Sequence, residues 1–362
     1  MQSSISDFIN DGFFCGKRIL ITGHTGFKGS WLSILLTKLG AKVSGYSLEP
    51  PTNPSLFAEA DLASLMQSNI GDIRDYDHFC TALRDAQPEI VIHMAAQPLV
   101  RESYLNPIDT YTTNVIGTVN VLDAVRHCKG IRVVLVITTD KCYDNKEWLW
   151  GYRENEALGG YDPYSSSKAC SEIATASFRS SFFNESDYDK HGTIIATARA
   201  GNVIGGGDWA SDRLIPDFIR SIINKEQLII RSPLATRPWQ HVLEPLAGYL
   251  MLVRKAYEQG PGFGQAWNFG PNDDDVQNVE WIARAICEMW GEGASYAVDS
   301  SPNLHEARYL KLDCSKAKAE LGWKPQWSIS KTLATIVEWN KCWLSGGDVL
   351  LECQRQINDF FA

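Results

Sequence analysis

Short, uninterrupted apolar runs punctuate the first half of the chain, each followed by a polar tip and a stretch with helical spacing. Arg18-Ile19-Leu20-Ile21-Thr22, positions 42–47, Ile90-Val91-Ile92-His93, positions 133–137 and positions 193–198 read as strands. Their unbroken apolarity is what strands covered on both faces of a parallel sheet require. Positions 68–74 look like a strand end with a polar tip, and positions 30–39 and 108–127 carry helical periodicity. The alternation predicts an α/β fold whose parallel sheet has six strands. Beyond Ala200 the pattern loosens, starting with the turn Gly205-Gly206-Gly207-Asp208. Positions 241–257 read as an amphipathic helix, Ala266-Trp267-Asn268-Phe269 as a strand returning to the first lobe, and positions 329–344 as a closing helix.

Glycines give the first strand–helix junction its meaning. Gly23-His24-Thr25-Gly26-Phe27-Lys28-Gly29 allows a tight turn, close phosphate approach and close helix packing, with helix N–H groups facing a pyrophosphate. A glycine triplet alone also marks plain turns, but the strand–turn–helix setting favours a dinucleotide site and a Rossmann-type doubly wound sheet. The second strand ends at Ser47, with Glu49 two residues on, where an acidic residue usually meets the adenosine ribose. His24 and Lys28 add positive character near the phosphates, which leaves NADP open beside NAD on electrostatic grounds. Asp72, Ile73, Ala95, Ala96, Gln97 and Asn114 are also expected along the cofactor, the alanines because small side chains let it lie close to the backbone. Asn114 falls in the 108–127 helix, which with the helix after Tyr164 forms an intersubunit bundle or packs within one subunit. Residues 1–200, with a return segment at about 239–269, are assigned to an NAD-binding domain, and 201–362 mainly to a smaller mixed α/β substrate-binding lobe.

Positions 138–168 carry the candidate chemistry. The strand at 133–137 runs into Thr138-Thr139-Asp140-Lys141, so hydroxyl, carboxyl and ammonium groups arrive at its C-terminal edge, where open α/β sheets bind ligands. Pro163 suits a first helical turn, and Tyr164 and Lys168 then share one helix face at i and i+4. A free phenol, with a pKa of about 10, is too weak a base near neutrality. A neighbouring ammonium and a cationic nicotinamide would stabilise the phenolate, so the pair suits proton abstraction from a sugar hydroxyl. An isolated Tyr-x-x-x-Lys is more often a surface pair, and the upstream dinucleotide motif is what shifts the reading toward function.

Composition narrows the classes. A net charge of −9 over 362 residues argues against a nucleic-acid partner. Nine scattered cysteines without C-x-x-C or His-x-x-x-His spacing imply reduced, mostly buried thiols of a cytosolic protein, and no metal site. Positions 1–12 lack the pattern of a signal peptide, and no apolar run approaches the roughly 20 residues of a membrane span. Asn202, Arg213, Arg231 and Arg237 are candidates for an anionic substrate, since the guanidinium fork suits phosphate oxygens, although each alone reads as a surface charge. Of the twelve tryptophans, Trp148 and Trp150 stand out because they lie between the Asp140 and Tyr164 elements.

With these residues in this order, the chain resembles the extended short-chain dehydrogenase/reductase superfamily and, within it, the nucleotide-sugar 4,6-dehydratases that act on CDP-glucose. The likeness extends through Gly45 to Phe57, His93 to Arg101, Arg199-Ala200-Gly201-Asn202-Val203, Arg237-Pro238-Trp239-Gln240-His241-Val242 and Trp267-Asn268-Phe269-Gly270-Pro271-Asn272. It implies a cytoplasmic, bacterial homodimer or homotetramer of dideoxysugar and lipopolysaccharide O-antigen biosynthesis, with NAD as cofactor. It further implies that Tyr164 takes the proton of the C4 hydroxyl, that Thr139 bonds the same oxygen, and that Lys168 holds the phenolate and the ribose. Asp140 would be the acid at the C6 hydroxyl. Related dTDP-glucose dehydratases carry Glu as the C5 base where this chain has Lys141. Lys141 is expected to act as base or shuttle, with electrostatic support of a C5 enolate as the other reading. Ser47 matches the CDP-glucose group, so by itself it does not point to NADP. A 4-epimerase would share Tyr164 and Lys168 but lack the acid, and a non-catalytic NAD-binding regulator would be expected to have lost one of the pair.

Overall fold

The computed structural model describes residues 11–299 and 309–362. The expectation for the N-terminus falls mostly on residues 1–10, outside them. The first lobe is built by strand–helix alternation: β1 (Arg18–Thr22), α1 (Phe27–Lys38), β2 (Lys42–Ser47), β3 (Gln67–Ile70), α2 (Tyr76–Ala86), β4 (Ile90–His93), interrupted between β2 and β3, where a short helical turn (Leu56–Glu59) takes the place of a full helix. It continues with α3 (Gly117–Arg126), β5 (Val133–Ile137), α4 (Pro163–Ser181) and β6 (Ile194–Ala200). A later strand, β7 (Ala266–Phe269), adds to the edge, giving the order β7-β6-β5-β4-β1-β2-β3 with every neighbouring pair parallel. The sheet therefore has seven strands rather than six, because the returning segment pairs with β6 instead of only packing near it.

Successive residues of each strand serve opposite layers, as the period of two dictates. Ile19, Ile21, Ile90, Ile92, Val133 and Leu135 join α1 and the helix α6 described below. Leu20, Val91, Val134 and Val136 join Phe79 and Leu83 of α2 and Val121 and Leu122 of α3. Burial on both faces is why these strands read as unbroken apolar runs.

Two boundaries differ from expectation. Helix α1 starts at Phe27, so Gly29 lies inside its first turn; a Cβ there would stand 2.1 Å from the Gly23 carbonyl oxygen. The 108–127 stretch is a helix at Pro107–Tyr111, one π-type turn at Thr112–Ile116, and then α3. The second lobe contributes α5 (Leu214–Asn224), α6 (Leu243–Gln259), α7 (Val279–Trp290), α8 (Ile329–Leu344) and α9 (Val349–Phe360). A separate core of Ile215, Phe218, Ile219, Ile282, Ile286, Leu333 and Ile336 holds α5, α7 and α8 together. Helices α6 and α9, although late in the chain, pack on the first lobe, with Cys353, Ile357 and Phe360 in the same core as Trp31.

All nine cysteines are free thiols, but only Cys142, Cys287, Cys314 and Cys353 are buried, so they are less buried as a set than expected. No described helix is long and apolar enough to cross a membrane.

Candidate active site

A single cavity of about 1270 Å³ runs along the C-terminal edge of the sheet and under the second lobe. That exceeds the roughly 300–1,000 Å³ typical of one small ligand, so a dinucleotide and a second nucleotide could share it. Gly23, Thr25, Gly26, Phe27, Lys28, Gly29 and Ser47 line one end, Asp72, Ile73, Ala95 and Ala96 follow, and Tyr164 and Lys168 stand further along. A Cβ on Gly23, whose φ is +80°, would lie 2.8 Å from the Ala95 nitrogen. The turn is thus closed against the β4 loop in a way only glycine permits, and this continuous wall fits a dinucleotide.

His24 is not part of that wall. Its ring is buried against Phe57, with Nε2 2.7 Å from Ser68 Oγ, and burial lowers its pKa to about 4 although the Tyr46 carbonyl opposes this. The expected positive charge there is absent, which removes half of the electrostatic argument for NADP. Ser47 Oγ lies 2.9 Å from Thr25 Oγ1, so the end of β2 is tied to the glycine turn. Asp72 lines the cavity but its carboxylate is paired with Arg74. Gln97 and Asn114 also stand behind the wall. Asn114 accepts from Gln97 N at 2.8 Å and donates to Ser167 Oγ at 2.8 Å, clamping the β4 loop to α4 from the π-type turn.

The catalytic end is organised by β5 and α4. Thr139 follows β5 and caps the short turn Asp140–Cys142, accepting from Lys141 N at 3.4 Å. Asp162 caps α4, accepting from Ser165 N at 2.9 Å, which with Pro163 sets the helix start. Tyr164 and Lys168 accordingly face the cavity together. Burial pushes the Tyr164 phenol up to about 12, with the neighbouring Thr139 hydroxyl pulling the other way. Lys168 donates to the Ile137 carbonyl at 3.2 Å, and burial lowers its pKa to about 8 against the opposing pull of Glu172.

Asp140 is fully buried and sits just behind the cavity wall, between Thr139 and Lys141, which do line it. One carboxylate oxygen accepts from Thr139 Oγ1 at 2.9 Å and lies 3.9 Å from Lys141 Nζ. The other, Oδ2, has no partner and faces Gly201, where a Cβ would stand 2.7 Å away. Asp140 thus borders the cavity through Thr139 and Lys141 and past Gly201, all three of which line it.

Behind α4, Glu172 accepts from Arg199 at 2.9 Å and from Thr197 Oγ1 at 2.7 Å, and it also bonds Thr138. Arg199 reaches Tyr143 OH at 2.7 Å, which donates to Asn268 on β7 at 2.7 Å. Sequence reasoning missed this network; the only local signal was Glu172 four residues beyond Lys168.

The substrate candidates also meet the cavity. Asn202, Arg213, Arg231 and Arg237 all line it. Arg213 is paired with Asp208 at 2.9 Å and lies close enough to Tyr164 to favour its phenolate, so it belongs to the catalytic end. Arg231 is paired with Asp212 at 2.9 Å. Arg101, which sequence reasoning passed over as a site residue, approaches the same Asp212 at 3.3 Å. Trp148 and Trp150 stay outside the cavity: Trp148 stacks on Tyr152 with centroids 5.5 Å apart, and Trp150 is largely exposed. Among the described residues no cluster of His, Cys, Asp and Glu could hold a metal ion.

Five likenesses to known proteins bear on this geometry. Residues 20–336 match the family model described as GDP-mannose 4,6 dehydratase. The chain is 55% identical over 354 residues to CDP-glucose 4,6-dehydratase of Salmonella typhimurium, spanning 98% of this chain and 99% of that protein. It is 27% identical to dTDP-glucose 4,6-dehydratase of Xanthomonas campestris, over 90% of this chain and 95% of that one. Among solved structures, dTDP-glucose 4,6-dehydratase of Bacillus anthracis in complex with NAD superposes with a TM-score of 0.72 at 20% identity, covering 92% of this chain and 100% of that one. The UDP-glucose 4-epimerase of Thermotoga maritima gives 0.76 at 22% identity, covering 90% and 99%, so at this distance the shared feature is the fold. The chain belongs to the family of nucleotide-sugar 4,6-dehydratases.

Proposed function

We propose that the protein converts CDP-D-glucose to CDP-4-dehydro-6-deoxy-D-glucose and water, with NAD regenerated in each turnover. The supporting observation is the grouping of Thr139, Lys141, Tyr164 and Lys168 on one cavity wall with Asp140 directly behind it. Identity of 55% to a CDP-glucose enzyme along nearly the full length supports the choice of nucleotide. Bound NAD would accept a hydride from C4 and later return it at C6. Gly23, Gly26, Gly29, Ser47, Ala95 and Ala96 would hold it, with Lys168 at its ribose.

Tyr164 removes the C4 hydroxyl proton while Thr139 bonds the same oxygen. Burial alone would leave the Tyr164 phenol too basic to ionise at neutral pH, so Lys168, Arg213 and the cationic ring must lower it. The C4 ketone acidifies the C5 proton, which Lys141 removes as the neutral amine, a state it reaches only if its surroundings lower its pKa. Asp140 supplies the proton for the departing C6 hydroxyl through Thr139 Oγ1 or past Gly201. Asn202, Arg231 and Arg237, lining the far side, bind the diphosphate. A 4-epimerase would need no acid beside Thr139, and the buried Asp140 favours dehydration over that reading and over a silent cofactor-binding role. Exposed Leu105, Ile108, Ile116 and Ile173, on or beside α3 and α4, favour a homo-oligomer assembled through those helices. The likeness to biosynthetic enzymes favours the cytoplasm.

CDP-glucose deuterated at C4 tests the reading. Label recovered at C6 of a 4-keto-6-deoxy product, with no net NADH, establishes the cycle. Label retained at C4 of a galactose-configured product would replace it with epimerisation.

A further inference from the structure

Lys28 sits in the phosphate-binding turn, yet its side chain leaves that turn. It lines the cavity, and Nζ lies 3.3 Å from the hydroxyl of Tyr249 on α6, with the ring centroid 5.5 Å away. The charges that act on it belong to the catalytic end: Lys168 on α4, Arg213 with its partner Asp208, and Asp140 after β5. Tyr164 also faces this space, and burial keeps the Tyr249 phenol un-ionised well above its usual range. The dehydration steps above assign Lys28 no role, although it is an amine in the same chamber.

We infer that Lys28 is a charge partner of the nicotinamide, neutral while the ring is cationic and protonated once the ring is reduced. The inference rests on the proposed NAD-dependent reading. Hydride leaves the carbon whose hydroxyl meets Tyr164, so the ring must reach the chamber that Lys28 shares with Tyr164. Lys168 and Arg213, the latter paired with Asp208, already bring positive charge to that space, and a further cation beside a cationic ring would be disfavoured. Burial first, and then these two cations, lower the Lys28 pKa to about 7, with Asp140 opposing, so either charge state is accessible near neutrality. Tyr249 suits both states, because its hydroxyl can accept from an ammonium and donate to a neutral amine. On hydride transfer to the ring, Nζ would take up a proton from solvent, and it would release that proton when hydride returns to the sugar. Lys28 would thereby stabilise the reduced cofactor while the ketosugar exists, which is when hydride must not be lost.

The sign fixes the test. Lowering the pH charges Lys28 and should weaken NAD⁺ relative to NADH. Calorimetric titration of the full chain with each form, in two buffers of different ionisation heat, gives affinities and protons exchanged. The ratio Kd(NAD⁺)/Kd(NADH) should rise roughly tenfold from pH 8.5 to 6, with protons released on NAD⁺ binding near pH 7. Lys28→Met should flatten most of that rise, leaving only the share of Lys168, and Lys28→Arg should hold the ratio high at every pH. Equal weakening of both forms in Lys28→Met, with the pH dependence intact, would show a plain phosphate contact and overturn the inference. If neither form binds the wild-type chain, the proposed function fails with it; if both bind with a pH-independent ratio, only this inference fails.

Discussion

The two ends of the cavity are built by opposite means. At the glycine turn the site exists because atoms are missing: Gly23 closes on the Ala95 nitrogen, and Gly29 closes on the Gly23 carbonyl. The one histidine there is held neutral and buried. At the catalytic end the site exists because charge is concentrated, with Lys168, Lys28 and Arg213 sharing a chamber with Asp140 and with Glu172–Arg199 behind it. One end demands shape and tolerates no added atoms, while the other depends on how its buried charges offset one another. Substitutions at the two ends should therefore fail in different ways.

The sharpest test of this contrast removes a charge-handling group without changing shape. Tyr164→Phe should lower kcat by about 10³-fold while leaving affinity for NAD and stability close to wild type. Product formation followed by NMR, with NAD affinity measured separately, checks both halves. A fall in affinity as large as the fall in rate would mean that the phenol binds rather than reacts.

Next in size is Arg199→Met, which strands the Glu172 carboxylate in the interior. Losing one partner of a buried ion pair costs about 3–5 kcal/mol, and denaturant unfolding should register it. Glu172 is also what holds up the pKa of Lys168. In the double variant Arg199→Met/Glu172→Leu much of the stability should return, while the basic limb of the kcat/KM profile moves to lower pH.

Gly201→Ala brings the shape rule to the charged end. Its Cβ would meet Asp140 Oδ2 at 2.7 Å and Pro238 Cγ at 2.4 Å, so the carboxylate must move. A displacement of that order costs up to about 10²-fold in rate. The expected result is a fall in kcat of about 10- to 100-fold, with NAD affinity retained. A wild-type rate would mean that Asp140 is not the acid.

How legible each end was in the sequence follows the same contrast. Spacing alone located the glycine turn, β1, β2, β4, β5 and the Tyr164/Lys168 face, because backbone approach and helical period are local properties. The seventh strand was legible as a segment but not as a sheet partner, since pairing of β7 with β6 spans the chain. The Gly29 position inside α1 was hidden because glycine reads as a helix breaker, and only the nearby Gly23 carbonyl explains it. The Glu172–Arg199–Tyr143–Asn268 chain joins residues from α4, β6, the Asp140 loop and β7. The displacement of Lys28 from phosphates to Tyr249 likewise depends on α6, more than two hundred residues away.

The smallest expected effect returns to the glycine end and asks whether its neutrality matters for folding. His24 has a folded pKa of about 4, lowered chiefly by burial from an unfolded value of 6.5. A folded value below the unfolded one means that the unfolded chain binds more protons between these limits. Stability from this group is complete above pH 6.5 and falls as the pH drops toward 4. Between pH 7 and 5.5 the loss should be about 1 kcal/mol from His24 alone. His93 and His241, each lowered to about 3 by burial, add similar losses, so the wild-type slope is a sum. His24→Phe keeps a ring beneath Gly45 and beside Phe57 while deleting the titration. Its baseline stability should drop with the loss of the Ser68 bond, but the difference between pH 7 and 5.5 should shrink by about 1 kcal/mol. An unchanged difference would mean that His24 takes up its proton in the folded chain as readily as in the unfolded one, so that positive charge appears at the phosphate end below about pH 6.5 and the NADP question reopens.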